Sequence, residues 1–343
     1  MLVTTSRLIA PTFVGALAAI GALSHLGAGP APRASLITGD FQALYETRFT
    51  DANPLEQVAV GALASLRYAV LSEAYPGAVV GRDGWLFTAE ELEVHDGFDA
   101  HVEASASRVA EVRNILSARD IRLLAVIVPD KADIYEARLP FPRAEEVRGR
   151  LSDFTALLDG YGVEHIDAAG LLSAAMAEDE VFMRDDTHWS PFGARIVAEA
   201  VGARLAQMDL TRSEVRTTRM GQADFDGDLL AFTPTGPFRG LVGPEQRRIT
   251  RFETVVENDG GLFGDAQVDA ALVGTSFSAR EAFHFEGFLK QALRADILNF
   301  AQEGAGPFAP MDRFLRSEEL KLTPPKVVIW EIPVRYVSKE MNR

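Results

Sequence analysis

Apolar positions along the chain recur at two different spacings, and the way they alternate predicts the order of elements. In residues 34–78, "FQALYETRF" and "PLEQVAVGALASLRYAVL" place apolar side chains three and four apart, which predicts helices. "VVGRDGWLF" (79–87) reads as a tight turn at Arg82, Asp83 and Gly84 between short strands. The helical pattern "RVAEVRNILSARD" leads into "IRLLAVIVPDK", a strand-length apolar run without alternation, as expected of a parallel strand covered on both faces. "LSDFTALLDGYG" followed by "VEHIDA" repeats this helix-then-strand unit. In "SPFGARIVAEAVGARLAQM" Ser190 is placed to cap a helix and Pro191 to occupy its first position.

Residues 210–262 break the rhythm with many Gly, Thr, Arg and Asp and no clear period, and read as an irregular insertion or small β region. The pattern then resumes as strand "VDAALVG", a helix over 279–293, strand "ADILNFA", the loop "EGAGP", a short helix and strand "KVVIWEIPV". Ser278 and Glu281 have capping-box spacing, so that helix is expected to begin just after Ser278. Alternating β and α units predict an α/β fold with a mostly parallel sheet and helices on both faces.

The N-terminus departs from this pattern. Between Arg7 and Arg33 no residue is charged, a length sufficient to cross a bilayer. A positive start, an apolar stretch and a small-residue tail also describe a signal peptide. Residues 1–33 are expected to be an uncleaved signal anchor, with a cleaved signal second, leaving the rest of the chain in the periplasm. Residues 34–78 then form a helical linker region and 79–343 the main domain.

Composition narrows the chemistry. Acidic side chains outnumber basic ones, 49 to 34, for a net charge of -15. Such a chain is a poor nucleic-acid binder, because that affinity comes mostly from Lys and Arg on phosphates. The absence of cysteine excludes disulfides, thiolate zinc sites and cysteine nucleophiles.

Two short stretches hold reactive groups. In "ALVGTSFSARE" (271–281) Ser276 lies between the end of a strand and a helix start, where open α/β sheets bind ligands and free N–H groups can hold an oxyanion. The stretch departs from the G-x-S-x-G elbow because Ser278 stands at the second glycine. In "FMRDDTHWSPFGA" (182–194) Asp186 and His188 are two apart, so their side chains point the same way in an extended segment. A serine nucleophile needs a base, and the base needs an acceptor to fix its tautomer; His188 and Asp186 can supply both. The plainer alternatives are solvated turn aspartates beside a packed histidine, or a metal site on Asp186 and His188, which lacks an evident third ligand.

"DTHWSPFGA" and "GTSFS", together with "GRDGWLF", "VPDKADIY", "GDLLAF" and "VVIWEIPVRY", resemble the alginate O-acetyltransferases of the AlgJ and AlgX type, in the same order from about Val79 to Val337. The resemblance is nearer the AlgJ type, since no carbohydrate-binding module is expected after Val337. It implies an SGNH-hydrolase-like, flavodoxin-like fold whose motifs are circularly permuted, with the Asp-His block ahead of the serine block. It also implies that Ser276 is the nucleophile, His188 the general base and Asp186 the orienting carboxylate. Gly304 or Gly306 falls where that fold places an oxyanion glycine. Arg335 or Tyr336 stands where it would place an asparagine, and no asparagine is present there. Lys131 at the end of its strand is a candidate substrate contact, and Trp189 a candidate sugar platform.

The implied activity is O-acetylation of an exported polysaccharide through an acetyl-serine, with no metal and no cofactor. Acetyl-CoA is not expected outside the cytoplasm, so the resemblance implies a membrane-bound O-acyltransferase partner that exports the acetyl group. A carbohydrate esterase with the same triad and a non-catalytic export scaffold are the alternatives.

Overall fold

The computed structural model of the chain describes residues 3–257 and 268–340, the side chains of 3–13, 16, 54, 55 and 57 excepted. The first two residues of the expected anchor and the last five of the insertion, 258–262, lie outside the described residues. The chain divides into two units, residues 1–75 with 231–245, and residues 76–230 with 246–343.

The first unit is helical: Val3–Gly27, Asp40–Asp51 and Pro54–Leu66, the last running into a π-helical turn Arg67–Leu71. Residues 231–245, inside the expected insertion, belong here, and the Tyr75 N–H donates to the Phe232 carbonyl at 2.8 Å. No helix among the described residues is long and apolar enough to cross a membrane.

The second unit opens with a small antiparallel pair, β1 (Ala78–Val80) and β2 (Leu86–Thr88), around the expected turn at Asp83, which adopts a left-handed φ of 55°. Its centre is a five-stranded sheet of β3 (Arg122–Val128), β4 (His165–Asp167), β7 (Ala270–Val273), β8 (Ile297–Asn299) and β9 (Val327–Pro333), all parallel. Both faces are covered, which is why β3 shows no alternation. Leu124, Val126 and Val128 enter one core with Leu172 and Val197, whereas Leu123, Ala125 and Ile127 enter another with Val109 and Phe154.

The strand order is β4-β3-β9-β7-β8. Counted from the strand that precedes Ser276, it reads 2-1-3-4-5, the doubly wound flavodoxin-like order, with its sequence start moved to the fourth strand. The sheet itself is therefore permuted, in agreement with the motif order.

Of the two readings of residues 210–262, the β region is the one found: a long antiparallel ribbon, β5 (Glu214–Phe225) and β6 (Arg247–Glu257), with a bulge between Arg219 and Gly221. Burial alternates along much of both strands, but the inward positions include Thr217, Thr250 and Thr254, so the alternation is not one of apolar and polar residues. The helix expected over 279–293 is also corrected. Ser276–Ala279 is one helical turn capped by Thr275, Glu281–Phe283 is a 3₁₀ turn, and the helix proper is Phe285–Leu293. Ser278 is thus inside the first turn and does not cap the helix.

Candidate active site

The turn after β7 and the segment before the helix Pro191–Arg204 meet at the carboxyl edge of the sheet. Ser190 caps that helix, its Oγ accepting from the Gly193 N–H at 3.1 Å, with Pro191 in the first position. This fixes the end of the Asp-Thr-His segment. His188 Nε2 lies 2.7 Å from Ser276 Oγ and Nδ1 lies 2.6 Å from Asp186 Oδ1. A carboxylate only accepts, so Nδ1–H donates to Asp186 and Nε2 is left to accept from the serine hydroxyl. The imidazole is held between Phe277, 4.6 Å away, and Phe283, stacked at 4.9 Å. Ser276, His188 and Asp186 are thus brought together from positions 88 residues apart.

Asp186 is fully buried and well satisfied. Its Oδ1 also accepts the His188 main-chain N–H at 2.9 Å, and Oδ2 accepts the Asp228 N–H at 2.9 Å. Burial works to raise its pKa, but the hydrogen bond and charge of His188 and these N–H donors outweigh burial and hold the carboxyl below its ordinary range.

Three residues near this triad had no assigned part. Asp228 Oδ2 lies 3.5 Å from His188 Nδ1, and its Oδ1 accepts from the Thr187 N–H at 2.8 Å. Arg280 Nη1 lies 3.5 Å from Asp186 Oδ2 and 3.9 Å from Asp228 Oδ2. Asp228 supplies the third ligand that a metal reading lacked, since Asp186, His188 and Asp228 offer atoms within 4.8 Å of one another. The chemistry of the set favours a different use: Nδ1 is committed to Asp186, and the Arg280 guanidinium already brings positive charge to both carboxylates.

The third residue is Glu331 on β9, fully buried beneath the serine turn. Its carboxylate accepts from the Thr275 N–H at 2.7 Å, the Thr275 hydroxyl at 3.0 Å and the Ser278 hydroxyl at 3.0 Å. That contact explains the serine at the elbow's second glycine position: Ser278 ties the turn to the central strand. Burial pushes the Glu331 carboxyl up to about 7, against the pull of the Thr275 and Ser278 hydrogen bonds. Gly274 is required here because a β-carbon would lie 2.5 Å from Glu331 Oε2. A lone glutamate inside "VVIWEIPV" was the available sequence signal for this residue.

Two expected substrate contacts are corrected. Lys131 is buried, not presented to a ligand; its Nζ donates to the carbonyls of Met183, Arg184 and Asp186 at 3.1, 3.4 and 2.8 Å. Trp189 is wholly buried against Phe277 and Phe285, at 5.1 and 4.6 Å, so no face is open to a sugar.

The glycine-rich loop after β8 lies beside the serine turn, with the Gln302 N–H on the Gly274 carbonyl at 3.1 Å and Trp330 Nε1–H on the Pro307 carbonyl at 3.0 Å. Gly304 and Gly306 take left-handed φ values of 71° and 63°, and a β-carbon on Gly306 would touch the Tyr336 ring. Arg335 is buried with its guanidinium 5.3 Å from the Phe277 ring and 5.0 Å from that of Tyr336.

The family described as "SGNH hydrolase-like domain, acetyltransferase AlgX" matches residues 78–334. The chain belongs to this family. It is 35% identical over 317 residues to the probable alginate O-acetylase AlgJ of Pseudomonas aeruginosa, covering 88% of this chain and 81% of that protein. The O-acetyltransferase domain of Pseudomonas putida AlgJ superposes with a TM-score of 0.72 at 32% identity, over 78% of this chain and 94% of that one. The structure of Pseudomonas aeruginosa AlgX matches less well, with a TM-score of 0.58 at 25% identity over 76% of this chain and 66% of that one. The chain is an SGNH-like acetyltransferase nearer AlgJ than AlgX, with the α/β fold expected of it.

Proposed function

We propose that the chain transfers acetyl groups to hydroxyls of an exported polysaccharide, with alginate, named in its relatives, the first acceptor to test. The observation that carries this reading is the hydrogen-bonded line Asp186–His188–Ser276. His188 Nε2 takes the Ser276 proton as Oγ attacks the acetyl carbonyl. The donor's leaving group departs with that proton, giving acetyl-Ser276. A sugar hydroxyl then loses its proton to His188 and attacks the acetyl carbon, and Ser276 leaves with the proton returned to it. Asp186 holds the tautomer and offsets the imidazolium charge.

Gly304 and Gly306 N–H groups, with Arg335 and Tyr336, are the candidate oxyanion and substrate donors. Their support is the closeness of the Gly306 loop to Tyr336 and of Arg335 to Phe277, next to the nucleophile. Export is supported by the charge-free stretch between Arg7 and Arg33. A periplasmic site anchored in the inner membrane, facing a membrane-bound O-acyltransferase that delivers acetyl, follows from the family resemblance.

The test is intact mass of the full chain after brief exposure to an activated acetyl ester, wild type beside Ser276→Ala. One acetyl adduct on wild type and none on the variant is expected. Adding alginate oligosaccharide should then move the acetyl group onto sugar. Release as free acetate alone would indicate an esterase, and no adduct on either protein would remove the serine mechanism.

A further inference from the structure

The stretch from Ser278 to Gly287 has a second open side. Between it and the Arg251–Thr254 portion of β6 lies a cleft of about 550 Å³, within the size range of small-ligand sites. Its walls are locked to one another. His284, held at a left-handed φ of 57°, places Nε2 2.7 Å from Thr254 Oγ1 and its ring 5.0 Å from Phe288. Gly287 leaves room for this contact, since a β-carbon there would lie 2.5 Å from Thr254 Oγ1 and overlap the His284 ring.

The charges around the cleft balance, with Arg251, Arg280 and Lys290 against Glu253, Glu281 and Glu286. Lys290 and Asn299 already hold Glu286, at 2.7 and 2.8 Å. Arg280 is turned toward Asp186 and Glu303, at 3.5 and 3.4 Å. The exposed side chains of Arg251, Glu253 and Glu281 have no hydrogen-bond or ion-pair partner among the described residues. A cleft bordered by an unpaired donor and unpaired acceptors, with an aromatic surface from Phe252 and His284 and no net charge, suits a polyhydroxylated ring better than a phosphate or a polyanion gripped by charge. Arg280 joins this cleft to the triad, because the same side chain lines one and contacts the carboxylate of the other.

We propose that this cleft binds one sugar residue of the acceptor polysaccharide through its hydroxyls, and that it thereby sets which neighbouring hydroxyl reaches Ser276. The proposal rests on the transferase reading above, and the test separates the two. Arg251→Ala, Glu281→Ala and the double variant are made in the full chain. Acetylation of Ser276 by an activated ester needs no acceptor and should proceed at the wild-type rate. Transfer to a short alginate oligosaccharide should show KM raised about tenfold or more per variant, as expected for a lost charge-assisted hydrogen bond, with kcat little changed. Calorimetric binding of the same oligosaccharide in the Ser276→Ala background should weaken in parallel, and this reads the cleft even if no acetyl-enzyme forms in the parent protein. Unchanged KM and unchanged binding in the double variant would overturn the site. Raising salt from about 50 to about 300 mM should alter binding less than about twofold; a steep loss would overturn recognition by hydroxyls in favour of charge.

Discussion

Lys131 grips the main chain of Asp186, Nζ to carbonyl at 2.8 Å, while the side chain of the same aspartate holds His188. A buried ammonium is thereby spent on the backbone of the segment that aims the candidate base. Replacing it by methionine leaves three inward carbonyls short of a donor. Lys131→Met is expected to lose about 3 kcal/mol in urea unfolding and to slow Ser276 acetylation about 10- to 100-fold. A folded variant with wild-type acetylation would show that the grip serves stability alone.

Glu331 makes stability depend on pH. Its carboxyl titrates at about 7 in the fold against 4.5 for an ordinary glutamate. Between those values the unfolded chain has released the proton that the folded chain keeps, so stability is full below about 4.5 and falls as pH rises toward 7. At about 1.4 kcal/mol per unit the loss is about 3 kcal/mol. Glu91, raised to about 7 by burial and then by Asp130, acts in the same direction. Thermal melts at several pH values between 5 and 8 should show a shallower decline for Glu331→Gln than for wild type; parallel curves would rule out this titration.

Two carboxylates approach Nδ1 of His188, Asp186 at 2.6 Å and Asp228 at 3.5 Å. Only the first is in hydrogen-bond range. Asp186→Asn is therefore expected to lower kcat by about 10⁴, through the wrong tautomer, whereas Asp228→Asn should cost about tenfold or less. Equal losses in steady-state rates would mean that the two act as one unit.

Gly227 lies against the Asp185 carbonyl so closely that a β-carbon would overlap it. Gly227→Ala should push the Asp228 N–H away from Asp186 Oδ2. Expected are a stability loss of about 2 kcal/mol or more and a lower rate of acetylation, both recoverable from unfolding curves and single-turnover mass measurements. Unaltered values would place the strain elsewhere.

What the sequence disclosed and what it hid follow from range. The strands announced themselves because a twice-covered strand must be apolar throughout, and Asp186 and His188 because two-residue spacing puts side chains on one side. Ser276 was visible by its place between strand and helix. Asp228 stood in the motif "GDLLAF" without a role, because its approach to His188 depends on the Gly227 contact with Asp185, 42 residues earlier in the chain. Lys131 and Trp189 point inward for a reason that sequence neighbours do not carry: a place at a strand end, or beside His188, does not say which way a side chain turns. Glu331 was written plainly as a charge within an apolar run, and only its partner, the serine turn 53 residues earlier, was missing.

The middle strand of the sheet, β9, is the last of the five in chain order, with β3 on one side and β7 on the other. The Asp-His segment is tied to the half that contains β3 and the serine turn to the half that contains β7. During synthesis these halves have no common ladder until residues 327–333 emerge, and each shows an unpaired edge until then. A growing chain therefore has no sheet to hold His188 against Ser276 until nearly all of it has been made, and one cut short before Val327 leaves two open edges prone to aggregation.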